Sequence, residues 1–415
     1  MTTASWGQIS STTGMARLAL SDDDKMVRDW FTRCAQDIGC EIRIDSIGNI
    51  FAILPGLNMS LPPIAMGSHL DTQPADDDTW DTTGGRFDGI LGVIAALEVI
   101  RTIRESGIQT EGVRFFPGCT GSAVWSSHTN IDAAQSMLVD DSRSQSTMAD
   151  ELARIGYLGS VAADYHRNPL SAHFELHIEQ NNRLEQHKKR LGVVEGVQGI
   201  KWYKVACTGE RAHAGSTPMR ERADAVVASA KVITALEKLA RAHKAFATVG
   251  VLKIESGSSN TVPGKVHFTV DIRHPSAETL DSMEREMQTI MEKLMNENPK
   301  IVFALDLVWH SPAVRFDSVA VECVASAAQA LVGDRGLMRM SSFAGHDSAL
   351  TALKVPTAMI FVPSSKGISH APEEYTTKEQ CGEGAQVLLQ SVLSYDALIY
   401  KEMEGVLDVM ECRMG

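Results

Sequence analysis

The chain has 415 residues, 44% hydrophobic and 22% charged, which allows two or three domains with real cores and excludes stapled miniproteins, wholesale disorder, collagen and coiled-coil rods. Acidic residues outnumber basic ones 52 to 39, a formal charge of −13, and the longest basic run is His187-Lys188-Lys189-Arg190, so neither nucleic acid nor an anionic membrane is an expected partner. The seven cysteines are scattered with no Cys-x-x-Cys pair, and no apolar run approaches the roughly 18 residues of a membrane span; a cytoplasmic location is the default expectation.

Ser21 before Asp22-Asp23-Asp24 has the form of an N-cap with an acidic first turn. Met26, Val27, Trp30, Phe31 and Ala35 then recur at helical spacing, predicting a helix over 21–39. The short runs 41–45 and 49–54, split by Gly48, and the apolar stretch 63–69 read as strands, the last one buried. After Gly84-Gly85, Ile90, Val93, Ile94, Leu97, Ile100 and Ile103 predict a long apolar helix over 89–107. Strand, loop and helix in this order imply an α/β layer. From Gly199 the texture changes to a strand over 200–207, a helix over 223–243, strands over 247–254 and 265–273, a helix over 277–298 and a strand over 301–309. That order is the one of a small two-layer sandwich. A helix over 319–331, a strand over 357–363 and a helix over 377–403 resume the first texture. The chain therefore reads as one α/β domain, 1–198 with 312–415, interrupted by an inserted α+β domain, 199–311.

Histidines and carboxylates collect where the apparent buried strands end: His69 and Asp71, Asp88 before a helix, His177 and Glu179, and His370. Ligands of open α/β sheets bind at such ends. Imidazole with carboxylate is a donor set that suits zinc or manganese. Taken singly, each histidine is more often a hydrogen-bonded core or surface residue, so the argument rests on the constellation.

Six motifs occur in order: Gly67-Ser68-His69-Leu70-Asp71-Thr72, Gly84-Gly85-Arg86-Phe87-Asp88-Gly89, Phe174-Glu175-Leu176-His177-Ile178-Glu179-Gln180, Ala212-His213-Ala214-Gly215-Ser216-Thr217-Pro218-Met219, Ala344-Gly345-His346-Asp347 and Ser369-His370-Ala371-Pro372-Glu373-Glu374. The chain resembles, over nearly its full length, the metal-dependent amidohydrolase branch of the M20 peptidase superfamily, which holds N-carbamoyl-L-amino-acid hydrolases, β-ureidopropionases and allantoate amidohydrolases. The resemblance implies a mixed-sheet α/β metallohydrolase domain with an inserted two-layer α+β lid through which subunits form a homodimer. It implies a hydrolase of non-peptide C–N bonds in linear amides that acts on an N-carbamoyl or N-acyl amino acid through two divalent ions, Zn2+ or Mn2+. By motif, His69 and His177 would be terminal ligands, Asp88 the bridging carboxylate and His370 a ligand of the other ion. Asp71 would hydrogen-bond the His69 ring. Gln180 would contact substrate, Asn260 and Arg273 would hold the substrate carboxylate, and His213 would reach a neighbouring subunit's site to steady the oxyanion. On the residues alone, plainer readings stay open: His213 in a turn, Asn260 in a turn before Pro263, Arg273 paired with Asp271 or Glu255.

The pattern breaks in three places. Relatives in this branch carry Glu-Glu-Gly, the first Glu as general base and the second as metal ligand, where this chain has Thr110-Glu111-Gly112. Glu111 is thereby the candidate for both tasks, catalytic base and ligand, with Thr110 where the base is expected. The connection 107–112 is also short by about a strand and its turn, which predicts a missing core strand. The acidic stretch 75–83 reads as a tolerated loop insertion, and Asn181 replaces a usual Gly. A second functional reading follows from the lost Glu: a catalytically impaired paralogue that binds a small carboxylated ligand in the same cleft.

Overall fold

The computed structural model describes residues 2–9, 12–58, 61–73, 84–107, 113–116, 119–138, 146–255 and 257–414, with the main chain alone for 113–116, 119 and 402–414. Thr110, Glu111 and the insertion 75–83 lie outside the described residues. The chain divides into two compact units, residues 1–196 with 315–415 and residues 197–314.

The larger unit begins with the helix Asp22–Asp37, closed by a reciprocal cap in which the Asp24 N–H donates to Ser21 Oγ at 3.2 Å and the Leu20 N–H to Asp24 Oδ2 at 2.8 Å. Its inner face buries Val27, Phe31 and Ala35. The strands Glu41–Ile44, Ile50–Leu54, Val113–Phe116, Ile64–Gly67, Ala172–Ile178, Thr357–Val362 and Leu191–Val197 follow one another across a mixed sheet. Ile64–Gly67, Ala172–Ile178 and Thr357–Val362 run parallel at its centre, and every residue of these three strands is buried. Ile64–Gly67 and Thr357–Val362 accordingly read as near-continuous apolar runs, both faces being covered, whereas Ala172–Ile178 buries His173, Glu175 and His177 among its apolar residues. The helices Ile90–Glu105, Ser318–Gly336 and Lys378–Met414 pack in this unit.

The expected gap in the sheet is corrected here. Val113–Phe116 pairs antiparallel with Ile50–Leu54 and parallel with Ile64–Gly67. Backbone donors on both neighbours would otherwise lack partners in the interior, and four residues suffice to continue the ladder. The predicted strand 247–254 is two strands, Phe246–Thr248 and Leu252–Ile254. The strands Leu191–Val197 and Leu337–Ser342 and the helices Ile131–Gln135 and Met148–Ile155 were not foreseen.

In the smaller unit, Leu252–Ile254, Lys265–His274, Gly199–Thr208 and Val302–Ser311 form an antiparallel sheet, with Phe246–Thr248 also paired to Lys265–His274. Along Lys265–His274, Val266, Phe268, Val270 and Ile272 alternate inward, the period of a sheet covered on one face. They share a core with the helices Ala225–His243 and Ala277–Glu297 through Val232, Leu236, Met283 and Met287. The fold is thus α/β with an inserted two-layer α+β unit, as the element order implied. No helix among the described residues is long and apolar enough to cross a membrane.

Candidate metal centre

The parallel register of the central strands brings their C-terminal ends to one edge, and four side chains meet there. His69 follows Ile64–Gly67, His177 lies near the end of Ala172–Ile178, Asp88 precedes the helix Ile90–Glu105, and His370 follows Thr357–Val362. Asp88 is buried at the centre. Its Oδ1 lies 3.1 Å from His177 Nε2 and 3.4 Å from His69 Nε2, and its Oδ2 lies 3.1 Å from His370 Nε2. Gly89 is required beside it, since its φ is +69° and a Cβ would sit 2.5 Å from the His69 ring.

Tautomers test whether this donor set suits a cation. His69 Nδ1 lies 3.0 Å from the Asp71 carbonyl oxygen and His177 Nδ1 lies 2.9 Å from that of Ile178. A carbonyl can only accept, so each Nδ1 carries the proton and each neutral ring keeps its lone pair on Nε2. The Gly89 N–H donates to His177 Nε2 at 3.3 Å, as a lone pair there requires. Two lone pairs therefore face one carboxylate oxygen, an arrangement that is favourable only with positive charge shared among them. A proton can supply it, and so can a divalent ion with nitrogen and oxygen ligands. Asp88, with its two oxygens serving different imidazoles, fits a carboxylate shared between two ions, and Glu111 lies outside the described residues.

Without an ion, protons take that place. Burial opposes charge on all of these groups, but the three histidines hold the Asp88 carboxyl well below the usual carboxylate range. Burial likewise lowers His69 and His177, and Asp71 and Asp88 more than reverse this for His69, as Asp88 does for His177, so both rings end above the ordinary imidazole value. Raised histidines stabilise the fold fully below about pH 6.5 and lose that contribution as pH climbs through their folded values. The metal-free protein should therefore melt several degrees lower at pH 9 than at pH 6.5, read by calorimetry across that range. An alkaline limb as stable as the neutral one would remove this charge arrangement.

Beneath the cluster lies a polar layer that sequence reasoning missed. The His346 ring packs edge-on against His177 with centroids 4.5 Å apart. Glu175 accepts from Ser68 Oγ at 2.8 Å, Ser348 Oγ at 2.7 Å and Ser348 N at 3.1 Å. Ligand atoms of Glu175, His177 and His346 come within 4.8 Å of one another, but the three donors on Glu175 fit a support for His177 better than a ligand. Burial pushes His346 down to about 3 and His173 to about 4, so both rings stay neutral near pH 7. Burial, then the charge of Glu175, raises Asp347 to about 7. The available signal was Ala344-Gly345-His346-Asp347, a His-Asp pair opening a helix.

The other site residues fall as follows. Asp71 meets the His69 ring mainly through its carbonyl, with Oδ1 farther off at 3.4 Å. Gln180, at φ +56°, places its Nε2 3.0 Å from His370 Nε2 and donates to Ser369 Oγ at 3.1 Å. In the smaller unit, Ala212–His213 pairs with Thr261–Val262, so His213 and Asn260 are neighbours, the Ala214 N–H donating to the Asn260 carbonyl at 2.9 Å. His213 Nδ1 accepts from Gly215 N at 3.1 Å and Ser216 N at 3.2 Å. Its proton accordingly sits on Nε2, an outward donor on an exposed ring. Arg273 lies toward the far end of Lys265–His274, opposite Ile200, and pairs with Asp271 through Nη2 at 2.7 Å and Nε at 3.0 Å. That contact is the plainer of its two readings.

The sequence profile of peptidase family M20/M25/M40 matches residues 133–394, and the chain belongs to that family. Its relatives place it in the carbamoylase branch. An N-carbamoyl-L-amino-acid amidohydrolase of Rhizobium meliloti is 36% identical over 92% of this chain and 91% of its own. A ureidoglycolate hydrolase of Arabidopsis thaliana is 30% identical over 90% of this chain and 80% of its own. A crystal structure of an amidase of the hydantoinase/carbamoylase family from Burkholderia multivorans superposes with a TM-score of 0.83 at 36% identity, covering 95% of both chains.

Proposed function

We propose that this chain is a hydrolase of non-peptide C–N bonds that cleaves an N-carbamoyl amino acid with water, releasing the free amino acid, carbon dioxide and ammonia. The observation that carries this reading is the buried Asp88 carboxylate with His69 and His177 on one oxygen and His370 on the other. His69 and His177 would hold one divalent ion, His370 with Glu111 the other, and Asp88 both; zinc and manganese suit these ligands. When bound, such ions polarise the scissile carbonyl and make water acidic enough to attack near neutral pH.

The chain's own residues then divide the remaining work. Glu111, with Thr110 in the usual place of the base, takes the proton of the attacking water and returns it to the leaving nitrogen. The Nε2–H of His213 donates to the oxygen that gains charge. Asn260 and Arg273 hold the substrate carboxylate, and Gln180, already beside His370, orients the substrate. Asp271 keeps the Arg273 fork in place. Replacing Arg273 with Gln should raise KM roughly 10- to 100-fold with little change in kcat, the loss of one charge-assisted pair; an unchanged KM would return Arg273 to a purely sheet-surface role.

Residues 197–314 serve as lid and dimerisation unit in this reading. Support comes from the edge strand Val302–Ser311, which exposes Val302, Leu307, Val308 and Trp309, the last packed at a tilt against the exposed Trp202 with ring centroids 4.7 Å apart. A long apolar edge of this kind pairs with another chain or is otherwise protected. The test of the function is ammonia release from a panel of N-carbamoyl-L-amino acids by protein purified without chelator, beside its metal content by mass spectrometry. Close to two ions per chain with ammonia release is the expected result. Ligand binding without turnover under any divalent metal would transfer the reading to the impaired paralogue.

A further inference from the structure

The loops that carry Asp88 and His370 are far apart in sequence, and one buried side chain joins them. Glu374 is 3% exposed. Its Oε1 accepts from the main-chain N–H of Phe87 at 2.8 Å and of Asp88 at 3.0 Å. Its Oε2 accepts from Ser369 Oγ at 2.9 Å and from the His370 N–H at 3.3 Å. All four acceptor contacts thus fall on the two residues that would share an ion and on their immediate neighbours. We propose that Glu374 is a positioning residue that locks Asp88 and His370 into one geometry and thereby sets how tightly the ion between them is held.

Two features of the surroundings support this beyond the hydrogen bonds. Gly85 approaches so closely that a Cβ there would lie 2.0 Å from the Glu374 carboxyl carbon, so Gly85 of the second motif leaves room for this carboxylate. His370 sits in the left-handed region at φ +55°, a strained conformation for a residue with a side chain, which persists where neighbours over-determine it. The bond from its N–H to Glu374 is one such constraint. A carboxylate is needed for the task, because two oxygens must each take two donors. The amide of Gln offers one acceptor oxygen and turns an NH2 group toward the other pair. Asp would be one methylene short of spanning both loops.

The assignment rests on the metal reading above, and the experiment separates the two. Wild-type protein stripped with chelator is titrated with Zn2+ against a chromophoric chelator, then with Co2+ while the visible spectrum is recorded. Two ions are expected. Glu374→Gln should keep its far-ultraviolet circular dichroism and hold the ion of His69 and His177 nearly as before. It should bind the ion of His370 roughly 10- to 100-fold more weakly, the range for a lost ligand-orienting contact, with the cobalt bands of that ion altered. Gly85→Ala, which drives a methyl group into the same carboxylate, should do likewise from the opposite side. Two ions held by Glu374→Gln with wild-type affinities and cobalt spectrum overturn the assignment. Loss of ions only in step with loss of the folded state, in both variants, overturns it as well. A wild-type chain that takes fewer than two ions fails the metal reading itself, and the assignment falls with it.

Discussion

Asp88→Asn should yield a folded protein that retains neither ion through desalting and hydrolyses substrate at least about a thousandfold more slowly. The size follows from the chemistry: polarisation and water activation by metal are worth several kcal/mol of barrier, and each 1.36 kcal/mol is tenfold in rate. Asn keeps the volume of Asp88 but removes the charge that faces His69, His177 and His370 at 3.1 to 3.4 Å. Its NH2 group can donate to one of the Nε2 lone pairs that the carboxylate only opposes. Consequently the variant, metal-free, lacks the charge that raises the wild-type rings, so its Tm should fall less than that of wild type between pH 6.5 and pH 9. Metal content by mass spectrometry and Tm at pH 6.5 and pH 9 check both halves. Two ions retained in Asp88→Asn would show that the carboxylate is not shared between them.

Much of this cluster was legible because it sits where regular structure ends. His69, Asp88 and His370 follow or precede apolar runs whose period and punctuation identify buried strands and a helix, His177 lies near the end of the strand Ala172–Ile178, and parallel strands bring such ends together without further information. The Ser21 cap and the alternation of Val266, Phe268, Val270 and Ile272 were readable for the same reason, each being a local pattern with a local cause. Gly250 ended the run 247–254 early, since a residue with no side chain contributes nothing to a sheet face.

The roles of Glu374 and Glu175 were not legible, because their partners lie across the fold. The bonds from Phe87 and Asp88 to Glu374 close distances of 287 and 286 residues along the chain, and no periodicity encodes them. Val113–Phe116 is a related case. Its place between Ile50–Leu54 and Ile64–Gly67 is dictated by the backbone groups of those neighbours, so the sequence of the connection alone suggested a gap that the sheet does not have.

Mixing two inactive variants should restore activity. His177→Ala disables the metal cluster, and His213→Ala removes the proposed oxyanion donor, which by analogy with other such donors costs about 10^2 to 10^3 in kcat. His213 is exposed at the end of the short strand Ala212–His213, with Nδ1 committed to Gly215 and Ser216 and Nε2–H left as an outward donor available to a site other than its own. In a two-fold dimer whose sites each borrow His213 from the partner, a mixed dimer has one site with both defects and one with neither. Random exchange makes half of the dimers mixed, so the mixture should recover about a quarter of wild-type activity. Each variant alone stays near background, and differently tagged chains co-purified after exchange would verify that mixed dimers form. Recovery absent despite verified mixed dimers means that His213 acts within its own chain, because cis action leaves every site in the mixture with one defect.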